Sequence, residues 1–408
     1  MVQPQGPEPP AEAPGGSSGA LRKSALRFVL LVGAMSFFAD FTYEGSRSIL
    51  GPFLATLGAS ALAVGVVTGF GELLGYGLRF VSGRVSDRTQ QFWPITIAGY
   101  FLQMAVVPLL AFAGSWQIAA VLIVLERVGK ATRNPPRDVM LSHAAHQMSG
   151  YGWAFGLHEA FDQAGAMVGP LAMAAVLAER AGGYRFAFAT LAIPAVVMLC
   201  LLVTARLLYP RPEEMESRAP EIGMRRLPRV FWMYLVGAML VAAGFADFPL
   251  IAYHFAKASV VSSAAVPILY AVAMGVSGAG SLLFGRLFDR AGLAVLVPLT
   301  LGSALFAPFV FLGGYWLAVV GVALWGLGMG VHESIMPAAV APMVSRQRRA
   351  SAFGLFTAAY GGAWFLGSAA IGALYGVSLV AVVVFSVGAQ LAALPLLVHV
   401  VRRLRSPV

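Results

Sequence analysis

The chain has 408 residues, of which 59% are hydrophobic and only 11% charged. Soluble domains carry about 25% charged residues, so a water-soluble core is excluded and lipid becomes the expected solvent. A net charge of +10 would suit a polyanion partner, and the single cysteine, Cys200, excludes an internal disulfide or a cysteine metal cluster.

Residues 1–24 are rich in Pro, Gly, Ser and Glu and read as a disordered cytoplasmic tail without the layout of a cleaved signal peptide. Apolar runs long enough to span a bilayer then follow near 26–56, 60–83, 92–113, 116–135, 152–178 and 184–206. A polar stretch, 207–229, reads as a cytoplasmic linker. Six further runs lie near 230–256, 263–285, 293–313, 316–342, 351–375 and 379–400. This gives an all-α membrane protein of twelve spans, a first six-helix bundle over 25–206, a second over 230–402, and a short tail, 403–408.

The two halves share words in the same order. Phe38-Ala39-Asp40-Phe41, Gly83-Arg84-Val85-Ser86-Asp87-Arg88 and Ala154-Phe155-Gly156-Leu157 return as Phe245-Ala246-Asp247-Phe248, Gly285-Arg286-Leu287-Phe288-Asp289-Arg290 and Ala352-Phe353-Gly354-Leu355. A membrane chain built from two similar halves is the pattern of a transporter with its site between them. Lys and Arg gather in alternate connections, such as Arg84 and Arg88, Arg206 to Arg229, and Arg402 to Arg405. By the positive-inside rule this places both termini in the cytoplasm and accounts for the basic balance without nucleic acid.

Charged groups within spans are costly and point to a cavity. Asp40, Glu44 and Arg47 share one face of the first span, with Asp40 about 20 Å into it. They suit a substrate or proton site, or else a Glu44–Arg47 packing bridge. Glu126 and Arg127 sit mid-depth on the fourth span, where Pro135-Pro136 is expected to end the helix and to leave Arg133 and Arg137 at headgroups or the domain interface. His158, Glu159 and Asp162 cluster on the fifth span. Carboxylates a turn apart in a poor dielectric resist ionising together, which suits proton coupling; a hydrogen-bonded hinge beside Gly165-x-x-x-Gly169-Pro170 is the alternative. In the second half Asp247 with His254, and His332-Glu333, read as polar cavity lining or, less simply, as metal ligands. Tyr360 and Trp364 share a face and suit either ring stacking on a ligand or packing. No Walker loop occurs, and nothing points to an enzyme or a cofactor.

On these residues the chain resembles the major facilitator superfamily. Gly83-x-x-x-Asp87-Arg88 and Gly285-x-x-x-Asp289-Arg290 resemble its loop motifs, and Gly165-x-x-x-Gly169-Pro170 is similar to the helix-five motif of proton-driven drug antiporters. Residues 126–138, followed by His158-Glu159-Ala160-Phe161-Asp162, resemble a largely uncharacterised bacterial branch. The resemblance implies two bundles alternating about a central site, with Gly83, Asp87, Arg88, Asp289, Arg290, Gly165, Gly169 and Pro170 in the conformational gate. Acids outnumber fixed bases within the spans, which favours a cationic or amphipathic small molecule exported in exchange for protons. An importer, a uniporter or a divalent-metal carrier is the alternative. A monomer in the bacterial inner membrane, with lipid around it, completes the expectation.

Overall fold

The computed structural model describes residues 16–146, 151–211, 227–336, 339–340, 343–344 and 349–405; at some of these, Asp87, Asp289 and Glu333 among them, only the backbone is described. The remaining parts of the expected tail (1–15), linker (212–226) and C-terminal tail (406–408) lie outside the described residues.

The first half contains α1 (Gly16–Thr56), α2 (Ala61–Thr89), α3 (Phe92–Leu109), α4 (Trp116–His146) and α5 (Tyr151–Glu179). Its sixth traverse consists of α6 (Tyr184–Thr190) and α7 (Ala192–Leu208). The second half opens with a broken traverse, α8 (Arg229–Gly244) and α9 (Phe248–Lys257), then α10 (Ala265–Ala291). There follow α11 (Leu296–Ala304) with α12 (Phe306–Leu312), α13 (Tyr315–Gly330), α14 (Arg349–Tyr375) and α15 (Leu379–Arg405). Joined across their short breaks, these helices make the twelve expected traverses of an all-α membrane protein, and α1 and α15 run several residues into the stretches read as tails.

Eight of the traverses are long and apolar enough to cross a membrane by composition alone. α4 is not among them because Glu126, Arg127, Lys130 and Arg133 interrupt its middle. It is held in place because those groups point into the protein, where Glu126, Arg127 and Arg133 are buried. Pro135 and Pro136 do not end α4, contrary to the sequence expectation. Pro136 has no N–H for the Thr132 carbonyl four residues back, and Ser82 Oγ supplies the missing donor at 2.6 Å. The helix therefore continues and carries Arg133 and Arg137 into the interior.

Small residues set how closely the helices approach. A Cβ on Gly165 or Gly169 of α5 would collide with the carbonyl oxygens of Phe37 and Phe41 on α1, so this motif is first a packing seam within the first half. The halves meet along α2 with α14, α1 with α9, and α5 with α10. Direct backbone contact between them lies at the end away from the chain termini: a Cβ on Gly51 would strike the Pro249 carbonyl, and one on Gly372 would stand 2.6 Å from the Ala61 carbonyl. Toward the termini the facing glycines of α14, Gly354 and Gly361, meet only the side chains of Phe80 and Tyr76. The bundle is thus closed at one end and looser at the other.

Candidate functional site

Among the described residues, two adjoining cavities with charged linings lie between the halves. The first, about 210 Å³, is walled by α1, α2 and α4 on one side and by His332 and α14 on the other. Glu72, Tyr76 and Arg79 fall one turn apart on α2 and face it together. Arg47 is its central cation. It donates to Glu72 at 3.2 Å, to Asp247 of the second half at 3.1 Å and to the Tyr43 hydroxyl at 3.3 Å. Arg127 reaches Glu72 at 3.0 Å and Glu126 at 3.6 Å, while Gln103 donates to Glu126 at 2.8 Å. Two further cations, Arg79 and Lys130, have no carboxylate within ion-pair distance among the described residues. Each lies against a ring instead: the Lys130 ammonium is 3.5 Å from the centre of Tyr43, and the Arg79 guanidinium 5.6 Å from that of Tyr76.

The second half contributes a π-helical turn, Val331–Ile335, that turns His332 toward the first cavity. Such turns recur at functional sites. His332 Nδ1 and the Tyr360 hydroxyl share a short hydrogen bond, and Tyr360 and Trp364 complete the aromatic wall.

The second cavity, about 410 Å³, lies beside Asp40, Glu159 and Asp162. Arg133 stands 3.5 Å from Asp40 and donates to Gln103 at 2.7 Å and to the Tyr100 hydroxyl at 3.0 Å. Arg137 donates to Asp138 at 2.8 Å and to Ser36 at 3.2 Å. His158 lies behind this wall, 2.7 Å from Ser36 and 3.5 Å from Asp162. Gln163 donates its amide to Glu159 at 2.9 Å. Glu44, Arg79 and Lys130 line both cavities and form their junction.

Buried polar atoms without a protein partner divide between the cavities by kind. Those of residues lining the first are Arg47 Nε, Arg79 Nε, Arg127 Nε and Trp364 Nε1, all N–H donors, with His332 Nε2 beside them. Those of residues lining only the second are Asn134 Oδ1, Asp162 Oδ1 and Gln163 Oε1, all acceptors, while the Arg79 Nε donor at the junction belongs to both. Gln163 is oriented by the bond its amide makes to Glu159. An unmatched buried donor or acceptor costs about 1–3 kcal/mol, so the first cavity calls for acceptors and the second for donors.

Most residues singled out from the sequence converge here: Asp40, Glu44, Arg47, Arg127, Glu159, Asp162, Tyr360 and Trp364 line the two cavities. Glu126 and His158 stand directly behind the lining. Four expectations need correction. Glu44 and Arg47 do not pair with each other, because Tyr270 caps Glu44 and Arg47 turns to Glu72 and Asp247. Asp247 lines neither cavity; it is fully buried behind Arg47 in the break between α8 and α9, where Ser368 also donates to it at 3.3 Å. His254 lies away from both, 3.0 Å from the Tyr375 hydroxyl, because α9 turns it toward α14. Of the two places expected for Arg133 and Arg137, headgroups give way to the interface: both are buried beside the second cavity, between the halves, as the continuation of α4 requires.

The side chains of Glu333, Asp87 and Asp289 lie outside the described residues. Arg88 and Arg290 are exposed in the last turns of α2 and α10, where a cation suits the helix dipole, and Gly83 faces Pro135 of α4. Sequence reasoning gave no role to Glu72, Tyr43 or Tyr270. The same-face spacing of Glu72, Tyr76 and Arg79 was the available signal for the first; Tyr270 lay in an apolar run with none.

Comparison with known proteins adds the following. The family model for the Major Facilitator Superfamily matches residues 29–368. An uncharacterized protein of Mycobacterium tuberculosis is 42% identical over 377 residues, covering 91% of this chain and 92% of that one. An uncharacterized MFS-type transporter of Methanocaldococcus jannaschii is 28% identical over 343 residues, covering 80% and 83%. The crystal structure of the nucleoside transporter NupG superposes with a TM-score of 0.71 at 14% identity, covering 93% of this chain and 100% of that one. A peptide transporter POT, in complex with alafosfalin, gives 0.70 at 14% identity over 92% and 93%.

Proposed function

This chain belongs to the Major Facilitator Superfamily, and on that premise we propose that it is a proton-coupled secondary transporter of a small molecule, working by alternating access of its two halves. A multi-pass membrane protein of this family is a transporter rather than an enzyme. The observation that carries the proton coupling is the junction of the cavities, where Glu44, Arg79 and Lys130 belong to both. A substrate held in the first cavity and a proton held among Asp40, Glu159 and Asp162 in the second act on the same three charges. Each therefore changes the affinity for the other, and linkage makes that influence reciprocal.

With the termini in the cytoplasm, as the distribution of Lys and Arg supports, the closed end faces outward and this is an inward-facing state. Arg47, Glu72 and Asp247 hold that end shut. The loop words ending in Asp87-Arg88 and Asp289-Arg290 are the matching latches of the opposite state. Nucleosides and peptides are carried by the structural neighbours; at 14% identity they support the fold and not a substrate for this chain.

Export of a cation in exchange for protons, expected from the excess of acids in the spans, loses its support once the partners are known. Glu72, Glu126 and Asp247 each have Arg47 or Arg127 within ion-pair distance, and Arg133 and Arg137 join the second cavity. The test is pH-dye-loaded proteoliposomes containing the purified chain, challenged with anionic and cationic compounds. A substrate-triggered pH change that Asp162→Asn or Asp40→Asn abolishes is the expected result. Equilibration of a labelled substrate with no pH change in the native protein refutes proton coupling.

A further inference from the structure

We propose that the substrate is a small organic monoanion, whose carboxylate- or phosphate-type head is received by Arg79 and Lys130 at the junction and whose body lies against Tyr76, Phe356 and Trp364. This rests on the transporter reading above and names the class of its substrate.

The first argument is the charge left over after pairing. Around the first cavity Arg47 and Arg127 are consumed by Glu72, Glu126 and Asp247. The four cations are equalled in number by Glu44, Glu72, Glu126 and Asp247, yet the pairing is uneven: Arg79 and Lys130 are left with no carboxylate within ion-pair distance among the described residues. Glu44 moreover accepts the Tyr270 hydroxyl, which leaves it a weaker competitor for the two cations. In the spans, holding an unpaired cation is costly, and here two are held side by side on aromatic faces.

The second argument is independent of charge. The Nε donors of Arg47 and Arg79 and the indole N–H of Trp364 have no hydrogen-bond acceptor within the protein, and Arg127 Nε has only Glu126 at 3.6 Å, beyond hydrogen-bond distance. An oxyanion brings several acceptor lone pairs to such a set, and Arg is suited to receive them. A cation brings none and would stand beside Arg79 and Lys130. The third is size: at about 210 Å³ the cavity falls below the range of about 300–1,000 Å³ for drug-sized ligands, and its aromatic walls suit a short apolar body.

A consequence concerns the direction of coupling. The acceptors unmatched in the second cavity, Asp162 Oδ1 among them, call for a donor that a bound anion cannot supply. An anion at the junction opposes the negative charge of Glu44, Glu159 and Asp162, so it favours protons there. Anion and proton then move together rather than in exchange.

The experiment measures thermal stabilisation of the full-length protein in detergent by benzoate, phenyl phosphate and inorganic phosphate, with benzylammonium as the size-matched cation. Saturable stabilisation by at least one organic anion and not by benzylammonium is expected. Arg79→Gln and Lys130→Gln should weaken it about tenfold or more, the loss of a charged hydrogen bond, and Lys130→Arg should retain it within about threefold if charge rather than folding is at issue. Stabilisation by benzylammonium alone, by no anion, or by an anion equally in the Gln variants overturns the proposal. An anion that binds as expected but moves no protons in proteoliposomes sinks the proton coupling instead. A cation that drives proton movement sinks the anion assignment alone.

Discussion

Replacing Asp247 with Asn should open the closed end of the bundle. Asp247 is fully buried and is the only acid of the second half that Arg47 reaches among the described residues. Asn keeps the shape and one acceptor oxygen, and Arg47 keeps Glu72 at 3.2 Å. What is lost is the charge on one buried hydrogen bond across the halves, worth about 1.5 kcal/mol at the lower end for bonds to charged groups. If the contact is made only in the closed state, the closed-to-open ratio falls about tenfold. Arg47→Gln should act more strongly, because removing one member of a buried pair costs about 3–5 kcal/mol and here leaves Asp247 unmatched. Nitroxide labels at Thr56 and Ser262, in a Cys200→Ser background, report the separation of α1 from the start of α10 at that end by dipolar spectroscopy. The expected outcome is a second, longer distance population in Asp247→Asn, larger still in Arg47→Gln. Unchanged distributions in both variants would refute the reading of this triad as a gate.

Four further substitutions separate structural from ligand-facing groups. Arg133→Gln strips Asp40, Gln103 and the Tyr100 hydroxyl of a shared partner that is 1% exposed and should cost about 3–5 kcal/mol. Arg79→Gln should change thermal unfolding by no more than about 0.5 kcal/mol. Gly169→Val drives a branched side chain into the Phe41 carbonyl, an overpacking penalty of at least about 1–3 kcal/mol, and should show as lost monodisperse yield in size-exclusion chromatography. Ser82→Ala leaves the Thr132 carbonyl unmatched at the proline pair of α4, costs about 1–3 kcal/mol, and should speed hydrogen exchange around Asn134 to Asp138.

The spans and the two halves were legible because they depend on local properties: run length, charge spacing and recurring words. The charged lining was legible for the same reason, since an ionisable group in a span declares itself wherever its partner lies. Partners were not legible. Tyr270 caps Glu44 from 226 residues away and Asp247 meets Arg47 from 200, and no pattern along the chain links them. The error over where α4 ends has a different cause. Pro135-Pro136 is a sound stop signal in water, and it fails here because Ser82, on another helix, satisfies the carbonyl that Pro136 frees. The expectation of a cationic substrate rested on counting acids without knowing which were already paired.

The repeated word Phe-Ala-Asp-Phe shows what the duplication became. In the first half it lies inside the unbroken α1, and Asp40 faces the second cavity. In the second half Pro249 follows it, and the chain leaves the helix over residues 245–247 before α9 begins. Pro at the start of a helix is pre-set for that position and cannot donate backward, so Asp247 is placed at the break and turned to Arg47. One copy of the aspartate is thus left to the cavity and the other is spent on holding the halves together. The same division holds throughout the site. Among the described residues, every carboxylate, Arg and Lys lining the two cavities belongs to the first half, while the second supplies His332, the aromatic wall, two methionines, Thr357 and Ser281. A substrate bound through charge therefore stays with the first half while the second rocks against it. In the proposed alternating access the motion would break the Arg47–Asp247 bridge and leave Arg47–Glu72 intact, because of these two pairs only the former joins the two halves.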